Sequence, residues 1–194
     1  MSHDLRFQVL VIPNVPWSEY LDRFLRLEAL GLDVAAVPDH FCDWGNPTGP
    51  WHEAWTGIAA IAARTSTIRL TTCVTQMPLR NPAVLAHQAV TVDQISGGRL
   101  ELGIGTGLTI DPSYDMIGVP NWGTGERVAR FAEYVELLDQ LLAEKVTMYH
   151  GSYYQANGAV MNPSSVQRPR LPIMVAALGP QMMRHAAAHA DIWN

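Results

Sequence analysis

The sequence predicts an α/β fold built on a parallel sheet, and three patterns carry that reading. Short apolar, β-branched runs alternate with longer segments whose apolar residues recur at spacings of three and four. Gly, Pro and Asn punctuate the junctions between them. Parallel neighbours need a crossover, which a helix supplies, so regular strand–helix alternation implies a parallel sheet. A doubly wound sheet and a (β/α)8 barrel both satisfy that rule.

The elements follow in order. Residues 5 to 12, LRFQVLVI, read as strand one, ended by Asn14 and Pro16. From Trp17, the spacing of Tyr20, Leu21, Phe24, Leu27 and Leu30 predicts an amphipathic helix that stops at Gly31. Val34 to Val37 is strand two, cut off by Pro38, and the Ala-rich segment from Glu53 to Arg64 is its helix. Ile68 to Val74 reads as strand three. Asn81-Pro82 then offers a capping Asn before a Pro tolerated in the first turn of a helix running through Val92. Ser96-Gly97-Gly98 is a turn, and Leu100 to Ile104 is strand four. Val128, Phe131, Val135, Leu138 and Leu142 mark a long helix with a Glu126/Arg130 pair one turn apart. Pro172 to Ala177 is strand five, Gly179-Pro180 opens a short helix, and Asp191 to Trp193 begins strand six. Two connections are long, Thr106 to Thr124 and Val146 to Arg170, as functional lids often are.

With 194 residues, 48% of them apolar, the chain can bury a core, and no linker or repeat divides residues 1 to 194 into two domains. No window is long and apolar enough for a membrane span, and MSHDLRFQ lacks a secretory pattern, so the expectation is a cytoplasmic protein. A net charge of -5 with interspersed signs gives no basic stripe and argues against nucleic acid. Cys42 and Cys73 lack a metal-type spacing and read as free thiols.

In a βα barrel the active site lies at the C-terminal ends of the strands, which here carry mostly small, polar or ionisable residues. Asp39-His40 is the sharpest local signal, since a carboxylate beside a histidine can orient it; the alternative is a surface or capping pair after Pro38. Gly103-x-Gly105-x-Gly107 does not open a helix, because Asp111-Pro112 follows and the next helix is expected near Gly125, so a dinucleotide fingerprint is rejected. Ala177-Leu178-Gly179-Pro180 is either a backbone anion site at a helix start or an ordinary tight turn. His185 and His189 have no third ligand, and His52-Glu53 lacks the zincin spacing, so no metal is expected. Of Trp44, Trp51 and Trp55, only Trp44 lies close enough to a strand end for a pocket role.

Val37-Pro38-Asp39-His40-Phe41, the segment Ala62 to Leu70, and Asp93-Gln94-Ile95-Ser96-Gly97-Gly98-Arg99-Leu100-Glu101-Leu102-Gly103-Ile104-Gly105 resemble the luciferase-like flavin-dependent oxidoreductases, or luciferase-like monooxygenases. So do Pro163 to Gln167, Leu178-Gly179-Pro180 and Ala190 to Asn194, so the resemblance spans essentially the whole chain. It implies a (β/α)8 TIM barrel, usually dimeric, with FMN or the deazaflavin coenzyme F420 at the C-terminal mouth. Asp39-His40 with Trp44, the Cys73-Val74 strand end, and Thr106-Gly107 are similar to the F420-using members, in which the equivalent of the 73–74 bond is a cis peptide. Ala176, Ala177, Leu178 and Gly179 correspond to the phosphate-binding turn, and His40 matches the acid–base position of the sugar-phosphate dehydrogenase branch. That branch has a glutamate where this chain has Thr109, so a sugar phosphate is not the expected substrate.

Only about six βα units are present, so the barrel is incomplete and the resemblance implies a piece of a chain of about 280 to 330 residues. The function so implied is hydride transfer between F420 and a small organic substrate, with Asp39 and His40 at the reacting centre. The alternative is an FMN-dependent monooxygenase using O2 and reduced flavin from a reductase partner. A reading from another class is a flavin-binding protein without turnover.

Overall fold

The computed structural model describes residues 5–194, in which β1 (Gln8–Leu10), β2 (Val34–Val37) and β3 (Arg69–Thr72) alternate with α1 (Trp17–Ala29) and α2 (Ala54–Ala62). A two-residue β4 (Thr75–Gln76), α3 (Pro82–Ser96) and β5 (Leu100–Gly105) follow. Then come α4 (Ser113–Ile117), α5 (Thr124–Ala143), a hairpin of β6 (Val146–His150) and β7 (Gln155–Val160), β8 (Ile173–Val175), α6 (Pro180–His189) and β9 (Ile192–Trp193).

The main sheet is parallel throughout, in the order β1-β2-β3-β5-β8-β9, with β4 also paired to β5. Along this path the strands follow one another in chain order, with the β6–β7 hairpin forming a separate two-stranded sheet. A doubly wound sheet reverses direction at a switch point, whereas this order never reverses, so the winding is that of a barrel with β1 and β9 as open edges.

The registers explain how one sequence serves two faces. Val9, Ala35, Leu70 and Leu100 form one row across four strands, packed against Phe24, Ile58, Leu85 and Leu138 of the helices. The adjacent row, Leu10, Ala36, Thr71 and Glu101, faces the other way, because successive side chains of a strand alternate. On that inner face the buried Glu101 accepts from Arg69 at 2.6 Å and Arg6 at 2.5 Å.

Helix ends follow local chemistry. Asn81 accepts from the Ala83 and Val84 amides, Glu53 from those of Trp55 and Thr56, and Gly97 closes α3 with φ at 67°. The α3–β5 turn is held by Arg99, whose five guanidinium N–H groups reach the carbonyls of Ala62, Thr65, Ile68 and Ser96 and the Thr65 hydroxyl at 2.8–3.0 Å. That explains Ser-Gly-Gly-Arg-Leu as a fastening at the face opposite the mouth.

Nearby, one oxygen of Glu28 accepts the backbone N–H groups of Ser66, Thr67 and Ile68 and the Thr67 hydroxyl. Burial opposes the charge, but these bonds more than offset it and hold the carboxyl below its usual range. A carboxyl that is more acidic when folded contributes stability above its unfolded value, near 4.3, and loses it as pH falls through the depressed folded value. Glu28→Gln should therefore cost about 1 kcal/mol at pH 7 and less at pH 3. Urea unfolding at both pH values checks this, and an equal loss at both would refute it.

The structure corrects the sequence reading in several places. Strand one is shorter than residues 5 to 12, spanning Gln8–Leu10. Strand three ends at Thr72, the Cys73–Val74 peptide bond is cis, as the family resemblance implies, and pairing resumes at Thr75. α3 runs to Ser96 rather than Val92 because Gly97 supplies the left-handed cap. The connection from 146 to 170 contains the β6–β7 hairpin, whose turn is pinned by the Glu133 carboxylate accepting from Ser152, Tyr153 and Tyr154. The connection from 106 to 124 contains α4, too short for its periodicity to register.

Candidate active site

At the C-terminal ends of the strands, the segment after β2 is tied to the segment after β5. The Phe41 amide donates to Ser113 Oγ at 3.1 Å, Trp51 Nε1 donates to the His40 carbonyl at 2.8 Å, and Gln76 Nε2 donates to the Asp39 carbonyl at 2.9 Å. These bonds hold His40 with its Nδ1 2.8 Å from Asp111 Oδ2 and its ring edge-on to Trp44, centroids 4.9 Å apart. Gln76 Nε2 also donates to Asp111 Oδ2 at 2.6 Å, and its Oε1 accepts from the Tyr114 hydroxyl. The buried Asp111 carboxyl opposes desolvation with hydrogen bonds from Ser113, Gln76 and His40, which hold it below the usual carboxylate range.

The carboxylate that meets His40 is therefore Asp111. Asp39 turns into an ion cluster, accepting Arg80 twice at 2.7 Å, while Arg80 reaches Glu53 at 2.5 Å. Burial pushes the Asp39 carboxyl upward and Arg80 pulls it back, and the two carboxylates keep Arg80 firmly protonated against its own desolvation.

Beside this network lies a cleft of about 540 Å³, walled by Cys73-Val74, by Gly105 to Thr109, and by Ala176, Leu178 and Gly179. Arg127 closes its far side by donating to the carbonyls of Thr106 and Trp122 and to Asn121 Oδ1, which secures the 106–124 connection. Gly107 has φ at 71°, and a Cβ there would overlap the Tyr114 hydroxyl and lie 2.7 Å from Gln76 Oε1, so only glycine leaves both network and cleft intact. α6 opens at Gly179-Pro180 with no side-chain cap, and nothing lies within 4 Å of where a Gly179 Cβ would be. Its first turn thus offers free N–H groups to an anion at the cleft.

The structure gathers Cys73, Val74, Thr106, Gly107, Ala176, Leu178 and Gly179 around this cleft, and places His40 with Trp44 next to it through Gln76. Two expected residues stand apart. Ala177 is buried on the helical side, its carbonyl accepting Trp193 Nε1 at 2.9 Å, and the Asp39 side chain is committed to Arg80. Trp55 is also core, donating to Thr75 Oγ1. Asp111, Arg80 and Arg127 were not anticipated as site residues. The one local clue was Asp111-Pro112-Ser113, an Asx-turn signature now visible as Asp111 Oδ1 accepting the Ser113 amide at 2.8 Å. Among the described residues no cluster of three His, Cys, Asp or Glu could hold a metal, and no helix is long and apolar enough to cross a membrane.

A singly wound parallel sheet with a small-residue cleft and a hydrogen-bonded His40–Asp111 pair at the strand C-termini has the architecture of a βα barrel. The family model of luciferase-like monooxygenases matches residues 5–194, and the chain belongs to that family. It is 36% identical over 171 residues to an F420-dependent glucose-6-phosphate dehydrogenase of Kineococcus radiotolerans, covering 88% of this chain and 50% of the relative. An F420-dependent secondary alcohol dehydrogenase, solved with an F420–acetone adduct, superposes with a TM-score of 0.85 at 22% identity over 97% of this chain and 58% of its own. The monooxygenase RslO1 of Streptomyces bottropensis superposes with a TM-score of 0.80 at 28% identity, over 94% of this chain and 57% of its own. The chain thus spans about half the length of the curated relatives it matches.

Proposed function

We propose that residues 1–194 form the first part of a luciferase-like barrel domain that transfers hydride between coenzyme F420 and a small organic substrate. The observation that carries the reading is the cleft walled by Cys73-Val74, Thr106-Gly107, Ala176, Leu178 and Gly179, with an uncapped helix start in its wall and His40 beside Trp44 adjoining it through Gln76. Its donor set fits a flat ring with an anionic tail: small residues along the walls, backbone N–H groups at α6, and a histidine for the proton. Bound there, the deazaflavin supplies the two-electron chemistry. Val74 and Cys73 would back the ring, Leu178 and Gly179 would meet the phosphate, and His40 would take up or return the proton that accompanies hydride. Asp39 serves by holding the His40 segment through Arg80. Leu108 and Ile110, both exposed on the 106–124 connection, wall the substrate. The F420-dependent relative at 36% identity supports the cofactor assignment.

The second reading is an FMN-dependent monooxygenase supplied with reduced flavin by a reductase, and the RslO1 likeness favours it. In either case we place the protein in the cytoplasm as a homodimer. Titration with F420 and with FMN, followed by tryptophan fluorescence, separates the readings, because Trp44 stands beside His40. Quenching by F420 alone is expected. Preference for FMN would move the assignment to the monooxygenase, and binding without turnover on any substrate would favour a flavin-binding protein.

A further inference from the structure

We propose that Asp111 is a positioning residue for His40, fixing the ring as its Nδ1–H tautomer and leaving Nε2 as the atom that exchanges the substrate proton. The use of Nε2 rests on the hydride-transfer reading above; the tautomer does not.

Hydrogen counting carries the argument. Asp111 Oδ2 lies 2.8 Å from His40 Nδ1 and 2.6 Å from Gln76 Nε2, which in turn is 2.8 Å from Nδ1 and 2.9 Å from the Asp39 carbonyl. A primary amide has two hydrogens, and the Asp39 carbonyl and the Asp111 carboxylate take both. The 2.8 Å approach of Gln76 Nε2 to Nδ1 is therefore two donors crowding one shared oxygen rather than a bond. Flipping the amide would place its oxygen against both Asp111 and the Asp39 carbonyl and would deprive the Tyr114 hydroxyl of its acceptor, so the orientation is determined. With no hydrogen left for it, Nδ1 must carry its own and donate it to Asp111, whose carboxyl the surrounding bonds hold anionic. In the neutral ring Nε2 then keeps the lone pair.

The arrangement also links the base to the long connection after β5. Asp111 belongs to that connection, and the same carboxylate accepts the Ser113 amide that starts α4. The Arg127 guanidinium lies 5.2 Å from the centre of the Tyr114 ring. His40 keeps its tautomer only while this segment is seated on the strand ends.

The test uses the protein labelled with 15N in its histidine rings, His40 being assigned by its loss in His40→Gln. At pH 8, long-range 1H–15N correlations are expected to show His40 protonated at Nδ1 and bare at Nε2; the opposite pattern would overturn the proposal. Asp111→Asn, and Asp111→Ser, which keeps an oxygen to cap α4, should both move His40 toward the Nε2–H form that free histidine favours. An unchanged Nδ1–H pattern in a folded variant would overturn the role of Asp111. In the protein that turns over, the same variants should lower kcat on the order of 10²–10⁴-fold with a smaller change in KM. Turnover unaffected by a switched tautomer would refute Nε2 as the exchanging atom while leaving the tautomer result standing.

Discussion

Gly103→Ala is expected to abolish the native fold. A methyl at that position would overlap the Thr72 carbonyl oxygen, stand 2.9 Å from its carbon and 2.7 Å from Met174 Cε. Met174 could swing aside, but the Thr72 backbone cannot, because β3 and β5 are paired below it and the Thr72 hydroxyl donates to the Gly103 carbonyl at 2.6 Å. Separating two central strands costs at least about 4 kcal/mol, a large share of the roughly 5–15 kcal/mol that holds a domain together. Gly125→Ala is the control: it lies in the first turn of α5 with nothing near its Cβ position, so it should be neutral or stabilising by up to about 1 kcal/mol. Urea midpoints of the two variants decide the matter, and a Gly103→Ala midpoint within about 1 kcal/mol of the parent would show that the strands can part.

Under the proposed F420 reading, His40→Ala should be the most damaging change to turnover that leaves the fold intact. His40 is partly exposed at the mouth, and the core does not depend on its ring. Removing a proton acceptor of this kind lowers kcat by about 10²–10⁴-fold. F420 affinity should change less than about tenfold, because Cys73-Val74, Thr106-Gly107 and the start of α6 build the cleft without it. Loss of binding equal to the loss of turnover would instead make His40 a cofactor clamp, and unchanged turnover would remove it from the chemistry.

The candidate site was only half legible in the residues. Those read from strand ends, Cys73, Val74, Thr106 and Gly107, converge on one cleft because the barrel rule places every strand end at the same mouth. Asp39-His40 was found for a reason the structure redistributes: adjacency suggested that Asp39 orients His40, whereas consecutive side chains diverge, and Asp39 goes to Arg80 while His40 goes to Asp111. Partners 41 and 71 positions away leave no local trace. The glycines of Gly103-x-Gly105-x-Gly107 suggested a phosphate loop and were rejected for want of a helix. Their actual cause is close packing, of β5 against Thr72 and Val74 and of Gly107 against Tyr114.

By itself the sequence determined the alternation of strands and helices, their apolar faces, and the cap at Asn81, all of which depend on residues within one or two turns of each other. Its motifs also sufficed to resemble the family to which the chain belongs. The tertiary structure alone decided that Arg99 spends its donors on carbonyls from 62 to 96 and that the partner of His40 is Asp111. The division has one physical reason. Periodicity and capping are paid for locally, whereas a buried hydrogen bond is satisfied by whichever group the finished packing brings within reach, however far along the chain it lies.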